Sequence, residues 1–467
     1  MFVGRERELI ALEERFNSKE FEFFTIRGRR RVGKTTLLHE FCKDKENIYF
    51  VAQEQSKKAN LEKFSRAVIK YFGFDGGIVY NSFEDLFEAV FEASKNKRIV
   101  LVVDEFPYLA NSDKSLISVL QNLIDKYHKK SKLFLILCGS SISFMENKVV
   151  AYKAPLYGRA TGQLKIEPFF FQTAKKYFEN YSMEEQILAY SVFGGIPAYL
   201  ETIDNKKSLK DNIINSFLKP QSYLFEEPTT FFKEEFREPA LYNSIVEAIA
   251  TGSTKLNDIA TKIGHTTSKT ANYLKNLLEL QIIKKETPIT EKNSNKKTIY
   301  RLCDNLFAFW YKFVSPNLST IGFADGEPLY KTLIEPYLSE HTSKIFEDVC
   351  KEFLLMSINK NNIPFFFHQI GKWWGNNPSE KSEEEIDILT FTNNKENSFF
   401  VECKWRNEKA GVGVLENLKR KAKILKQFKN KHYGIFSKSG FKSELIKNSK
   451  QEKNIYLFDL ERICQNQ

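Results

Sequence analysis

An α/β fold built around a parallel sheet is predicted for the first third of this sequence, with further domains behind it. Three features carry the expectation. Apolar runs of strand length alternate with helical patterns across residues 21–138, and a glycine-rich loop joins the first such run to a helix. The chain has 467 residues, more than one hydrophobic core organises, so two or three domains are expected. Strand–helix alternation implies helices on both faces of a sheet. The continuous apolar runs at 99–103 and 133–138 are of the kind that parallel sheets bury on both sides.

In order along the chain, the patterns give a strand at 21–26, a helix at 34–42, a strand at 48–52 and a helix at 61–72. Residues 82–93 place Phe83, Leu86, Phe87, Val90 and Phe91 on one side of an amphipathic helix. Residues 168–237 turn mostly helical around Gly194-Gly195-Ile196-Pro197 and read as a helical lid. Helices at 241–250, 256–263 and 268–280, apolar Ile282-Ile283 and a strand at 298–302 make a winged helix-turn-helix. Thr267 or Ser268 would cap its third helix, and Lys292, Lys296 and Lys297 lie in its wing. The last block carries a helix at 343–356, strands at 364–369, 386–391 and 398–405, a helix at 415–428, and strands at 432–436 and 455–458. The expected divisions are 1–167, 168–237, 238–315 and 335–467.

Composition narrows the function classes. Hydrophobic residues make up 42% and aromatics 14%, ordinary for packed globules. No run approaches the ~20 apolar residues of a membrane span, and Arg5, Glu6, Arg7 and Glu8 stand where a signal peptide would be apolar; no membrane association and a cytoplasmic location are expected. The six cysteines (42, 138, 303, 350, 403, 464) include no CxxC, which points away from a zinc knuckle or a disulfide framework. A net charge of +11 favours a polyanionic partner. Its densest part, the lysines of 404–450, reads by itself as a solvated helix face.

Gly28-Arg29-Arg30-Arg31-Val32-Gly33-Lys34-Thr35 matches GxxxxGK[ST] between a strand and a helix, with Thr36 next in that helix. Glycines let backbone N–H groups wrap phosphates, and the helix N-terminus adds partial positive charge. Lys34 is placed to reach the β- and γ-phosphates of ATP, and the Thr35 hydroxyl to ligate Mg²⁺. Downstream, the 99–103 strand ends in Asp104-Glu105, so Asp104 can hold the Mg²⁺ shell while Glu105 orients or deprotonates the attacking water.

Phe2-Val3-Gly4-Arg5-Glu6, the Gly28–Thr35 loop, Leu101-Val102-Val103-Asp104-Glu105-Phe106-Pro107-Tyr108-Leu109 and Gly194-Gly195-Ile196-Pro197-Ala198-Tyr199-Leu200 resemble the archaeal-type P-loop ATPases of the AAA+/STAND class over roughly residues 1–315. The resemblance implies that Val3 and Arg5 lie near the adenine. It implies that Ser140, with Ser141 as the competing choice, senses the γ-phosphate. It also implies that Arg159 contacts phosphate, unless it is a plain surface charge. Such proteins act as nucleotide-dependent switches.

Asp387 and Glu402-Cys403-Lys404 form a second signal. Glu402 and Lys404 share one face of a strand. If Phe391 pairs with Ser398 in a hairpin, Asp387 faces Glu402, and two opposed carboxylates call for a cation between them. A divalent metal, Mg²⁺ or Mn²⁺, fits, with Lys404 beside it to assist a phosphodiester reaction. The order resembles the PD-(D/E)xK restriction-endonuclease-like core, which implies that Glu347 on the preceding helix joins the metal. Glu385-Ile386-Asp387 departs from that pattern in lacking the Pro-Asp pair. The leading expectation is an ATP-hydrolysing switch coupled to a metal-dependent DNA nuclease, with double-stranded DNA as partner. The alternative is a nucleotide-dependent DNA-binding regulator with a non-catalytic C-terminal domain. A third reading makes the winged helix a protein-binding module, and a homo-oligomer stays open.

Overall fold

The computed structural model describes residues 2–74, 79–291, 297–358, 363–377 and 380–465. The chain divides into two compact units, Met1–Pro168 and Phe169–Gln467; the expected segments 168–237, 238–315 and 335–467 fall, but for Pro168, in the second.

In the first unit, β1 (Glu22–Arg27), β2 (Asn47–Val51), β3 (Ile99–Asp104), β4 (Leu133–Gly139) and β5 (Gly162–Lys165) form one sheet in the order β2-β3-β4-β1-β5. Every pairing in it is parallel. β3 and β4 are buried along their whole length, so their unbroken apolar sequences match a sheet covered on both faces. β5 escaped the sequence reading because its four residues alternate in exposure and carry little apolar signal. The helix Phe83–Ala93 buries the five residues named from its spacing, and the Ser82 side chain caps it by accepting the Asp85 N–H. Burying each large apolar side chain contributes roughly 1.5–3 kcal/mol, which is what fixes this helix against the sheet.

In the second unit, three helices (Pro239–Ala250, Leu256–Ile263 and Thr267–Glu279) precede β6 (Ile283–Glu286) and β7 (Ile299–Leu302), an antiparallel pair. Thr266, rather than Thr267 or Ser268, caps the third helix, accepting the Lys269 N–H; its extended backbone ends the turn one residue earlier than the pattern suggested. Lys292 and Lys296 lie outside the described residues, and Lys297 pairs with Glu291 at 2.7 Å.

The remaining strands, β8 (Gln369–Asn377), β9 (Ser382–Phe391), β10 (Asn397–Lys404), β11 (Asn430–Ser437) and β12 (Ile455–Phe458), make a second sheet in sequence order. β8, β9 and β10 run antiparallel, whereas β10, β11 and β12 are parallel. The helix Glu335–Met356 precedes the sheet and Val412–Ile424 joins β10 to β11. The strand expected at 364–369 is corrected to Gln369–Asn377. Its glycines and asparagines have weak strand propensity, and pairing with β9 over nearly its whole length overrides that weakness.

The β6–β7 hairpin is tied to this C-terminal domain. Lys284 Nζ lies 2.5 Å from Asp348 Oδ1 on the helix Glu335–Met356, and Arg301 lies 3.5 Å from Asp348 Oδ2. Beyond β6, the Ile289 N–H donates to the Lys372 carbonyl at 2.9 Å. The Ile289 side chain joins Trp373, Ile386, Leu389 and Phe400 in one apolar core.

Candidate functional site

The glycine-rich loop leaves the end of β1 and enters the helix Lys34–Cys42. Gly28 is required by close approach, since a Cβ there would stand 2.5 Å from the Ile166 carbonyl oxygen. Gly33 is required by its backbone, with φ +87°, a region that side chains other than glycine enter at a cost. Arg31 also adopts positive φ, 70°. Arg29 is fully buried, and Arg30 Nη2 donates to the Tyr108 hydroxyl at 2.7 Å. Lys34 Nζ donates to the carbonyls of Gly28 (2.8 Å) and Arg29 (3.0 Å) and to Ser140 Oγ (2.9 Å).

The acidic half sits at the ends of β3 and β4. Thr35 Oγ1 donates to Asp104 Oδ2 at 2.8 Å, and the Tyr49 hydroxyl donates to the same oxygen at 3.0 Å. Asp104 Oδ1 accepts the Glu105 N–H at 2.9 Å. Burial, reinforced by the Asp104 charge, pushes the Tyr49 hydroxyl pKa well above its usual value, so Tyr49 stays a donor. Glu105 has φ 52°; its carboxylate accepts the Ser140 hydroxyl, and the Ser140 N–H at 3.3 Å. Ser140 therefore joins Lys34 to Glu105, and Ser141 has no such role. Arg5 Nη2 donates to the carbonyls of Val32 (3.0 Å) and Glu167 (2.7 Å), which ties the N-terminal segment holding Val3 to the loop. Thr36 is exposed one residue beyond Thr35.

Arg159 is not part of this cluster. It precedes β5, whose Gly162 pairs with Phe24 near the entry of β1, whereas the loop follows the exit of β1. Its guanidinium makes two 2.7 Å bonds to the Asp125 carboxylate. The expectation that Arg159 reaches phosphate bound to its own chain's loop is corrected on that ground: the parallel sheet puts the two at opposite strand ends.

Residues 2–203 match an ATPase domain found predominantly in Archaea, and residues 310–422 match a family of archaeal and bacterial proteins of unknown function. An uncharacterized protein of Methanocaldococcus jannaschii is 38% identical over 467 residues, covering 99% of each chain. The chain belongs to this archaeal P-loop ATPase family. An uncharacterized ATP-binding protein of Pyrococcus horikoshii is 27% identical over 255 residues, covering 45% of this chain and 77% of the relative. The solved structure of a Walker-type ATPase of Pyrococcus abyssi aligns with a TM-score of 0.49 at 19% identity, over 66% of this chain and 96% of that one. The ATPase-domain match over residues 2–203 makes ATP the ligand of the first unit, and no helix among the described residues is long and apolar enough to cross a membrane.

The ATPase carries a second polar centre on β9, β10 and the helix Glu335–Met356. The β9–β10 ladder pairs Phe391 with Ser398 and Ile388 with Val401; one further step sets Asp387 across from Glu402. Asp387 Oδ2 accepts the Cys403 N–H at 2.8 Å. Burial, with the nearby Glu402 and Glu347 carboxylates, pushes the Asp387 pKa up to about 7. Glu402 pairs with Lys404 at 2.5 Å and with Lys421 at 3.3 Å, and Glu347 pairs with Lys372 at 3.2 Å. Among the described residues, no group of three or more His, Cys, Asp or Glu is arranged to hold a metal ion. The three-carboxylate ligand set expected from Glu347, Asp387 and Glu402 is corrected on this point: Lys372 engages Glu347, and Asp387 and Glu402 stand as a pair across adjacent strands with Lys404 and Lys421 on Glu402.

Tyr49, Lys372 and Lys421 were missed in the sequence. Tyr49 lies on a strand whose alternation could have flagged it. Lys421 sits in a run of lysines that gives no sign which one turns inward, and Lys372 belongs to β8, a strand that the sequence pattern places at 364–369.

Proposed function

We propose that this ATPase is a nucleotide-controlled switch whose C-terminal domain is a metal-dependent, nuclease-like effector acting on double-stranded DNA. In the first unit, Lys34 binds the β- and γ-phosphates, Ser140 reads the γ-phosphate, and Glu105 orients the attacking water and takes its proton. Thr35 and Asp104 supply hard oxygen donors 2.8 Å apart, a set that suits Mg²⁺. Those two residues would hold the ion, which neutralises phosphate charge when bound. The three helices with their hairpin are read as a winged helix, with Lys269 and Lys275 exposed on the third helix to meet DNA phosphates.

One observation carries the effector reading. Asp387 and Glu402 stand across adjacent strands with Lys404 beside them, on a helix, three-strand meander, helix and parallel strand in that order. The test is incubation with linear, circular and single-stranded DNA plus Mg²⁺ or Mn²⁺, with and without ATP, comparing wild type with Asp387→Ala and Lys404→Ala. Cleavage lost in both variants with ATP turnover intact supports the effector. The engagement of Glu347 and Glu402 by lysines favours a second reading, a nucleotide-dependent DNA-binding regulator. ATP-dependent DNA binding without cleavage under every metal condition would establish that one instead.

A further inference from the structure

At the end of the first sheet opposite the ATP loop, a groove of about 960 Å³ opens among Lys19, Lys129, Lys130, Lys132, Tyr157 and Arg159. The strand direction defines its place. Phe21 leads into β1, Lys132 into β4 and Thr161 into β5, and all of these line the groove. The loop, Asp104 and Ser140 lie at or beyond the far ends of the strands, and β1 alone spans six residues, roughly 20 Å at ~3.3 Å per residue. The groove is therefore a separate site.

Its charge is one-sided. Five cationic side chains face two carboxylates, Glu20 and Asp125, and Asp125 is already taken by Arg159. Among the described residues, no ion pair joins Lys19, Lys129, Lys130 or Lys132 to an acid. Lys126, on the preceding helix, contrasts with them, being paired to Glu88 at 2.5 Å. Lysines past a helix C-terminus do complement its dipole, which accounts for Lys129 and Lys130. It does not account for Lys19, brought in from the turn before β1, or for Lys132 at the entry of β4.

Beside these charges stand two exposed aromatic rings. Tyr157, on the groove wall, is 47% exposed, and Tyr152, 78% exposed, packs edge-on against it with centroids 5.0 Å apart. Exposed rings next to lysine ammonium groups supply what an unpaired nucleotide strand uses: a face for base stacking and point charges for phosphates. An acidic peptide would use the charges and leave the rings without a function. We propose that this groove binds a single-stranded nucleic-acid segment, with Lys129, Lys130 and Lys132 on its phosphates and Tyr157 stacked on a base.

The test is fluorescence anisotropy of the full-length protein with a labelled oligothymidylate across a salt series. Lys129→Glu/Lys130→Glu should weaken binding by about tenfold or more and lower the salt slope by about two. Tyr157→Ala should weaken it by about tenfold with the slope unchanged. Turnover of ATP without nucleic acid stays at the wild-type level in both, and the milder Lys129→Gln/Lys130→Gln serves if the reversal unfolds the chain. Lys269→Ala/Lys275→Ala, on the helix read as contacting duplex DNA, leaves oligothymidylate binding intact. Wild-type affinity in the reversed or the Tyr157 variant would overturn the proposal. So would an equal loss for a duplex of the same length, or displacement of the oligonucleotide by polyglutamate as readily as by unlabelled oligothymidylate.

Discussion

Ser140 touches both Lys34 and Glu105, so one hydroxyl stands between the cation proposed to bind phosphate and the acid proposed to handle water. On the proposed reading, Lys34→Ala deletes the point charge that faces the β- and γ-phosphates. ATP binding, measured by titration calorimetry, should be lost or turnover abolished; wild-type affinity would sink the assignment. Glu105→Gln keeps the shape and removes the proposed base. It should retain ATP while turnover falls by about 10²–10⁴-fold, as read by phosphate release. At this scale the sequence was most informative where backbone geometry is demanded. Gly28 and Gly33 are fixed by a close approach and a positive φ, so the motif and its surroundings come together. Arg159 was illegible for the opposite reason. Nothing in Leu156-Tyr157-Gly158-Arg159 says at which end of a strand it stands, and only the β1–β5 register decides that.

Among the elements, the helix Phe83–Ala93 was legible because five apolar residues recur at helical spacing between a serine cap and the next turn. Phe87 has no exposed surface, so Phe87→Ala should lower the stability of the first unit by about 3–5 kcal/mol, checked by denaturant unfolding. β5 and β8 were illegible or misplaced because neighbouring strands, not their own residues, hold them in place. The β6–β7 hairpin shows the same limit. Its register fits a short apolar pattern, yet its attachment to the helix Glu335–Met356 rests on Lys284, Arg301 and Asp348, which are far apart in the chain. Arg301→Ala leaves Asp348 and Glu347 with one cation fewer. Because Arg301 is only 21% exposed, the second unit should lose about 1–3 kcal/mol, visible as a lower melting temperature.

Over the whole molecule, pH should act most clearly on the second unit. Burial pushes the Glu352 pKa from 4.5 up to about 8, although its carboxylate accepts the Phe171 N–H and the Tyr190 hydroxyl. An acid that is weaker in the folded state binds its proton more tightly there. Its contribution is complete below pH 4.5 and is lost as pH rises through about 8. The melting temperature of the second unit should fall across that window, and Glu352→Gln should flatten the fall. The salt links between the β6–β7 hairpin and the helix Glu335–Met356 also bear on how such a chain can be inherited. A recombination breakpoint in 316–334 would separate Lys284 and Arg301 from Asp348 and Glu347, and Ile289 from the core it helps to fill. Stranding charges in this way costs several kcal/mol, so a grafted C-terminal domain begun at residue 335 should be recovered insoluble. One begun before β6 should carry its counter-charges with it, and the segment that lineages can exchange therefore starts inside what reads, by sequence, as a different module.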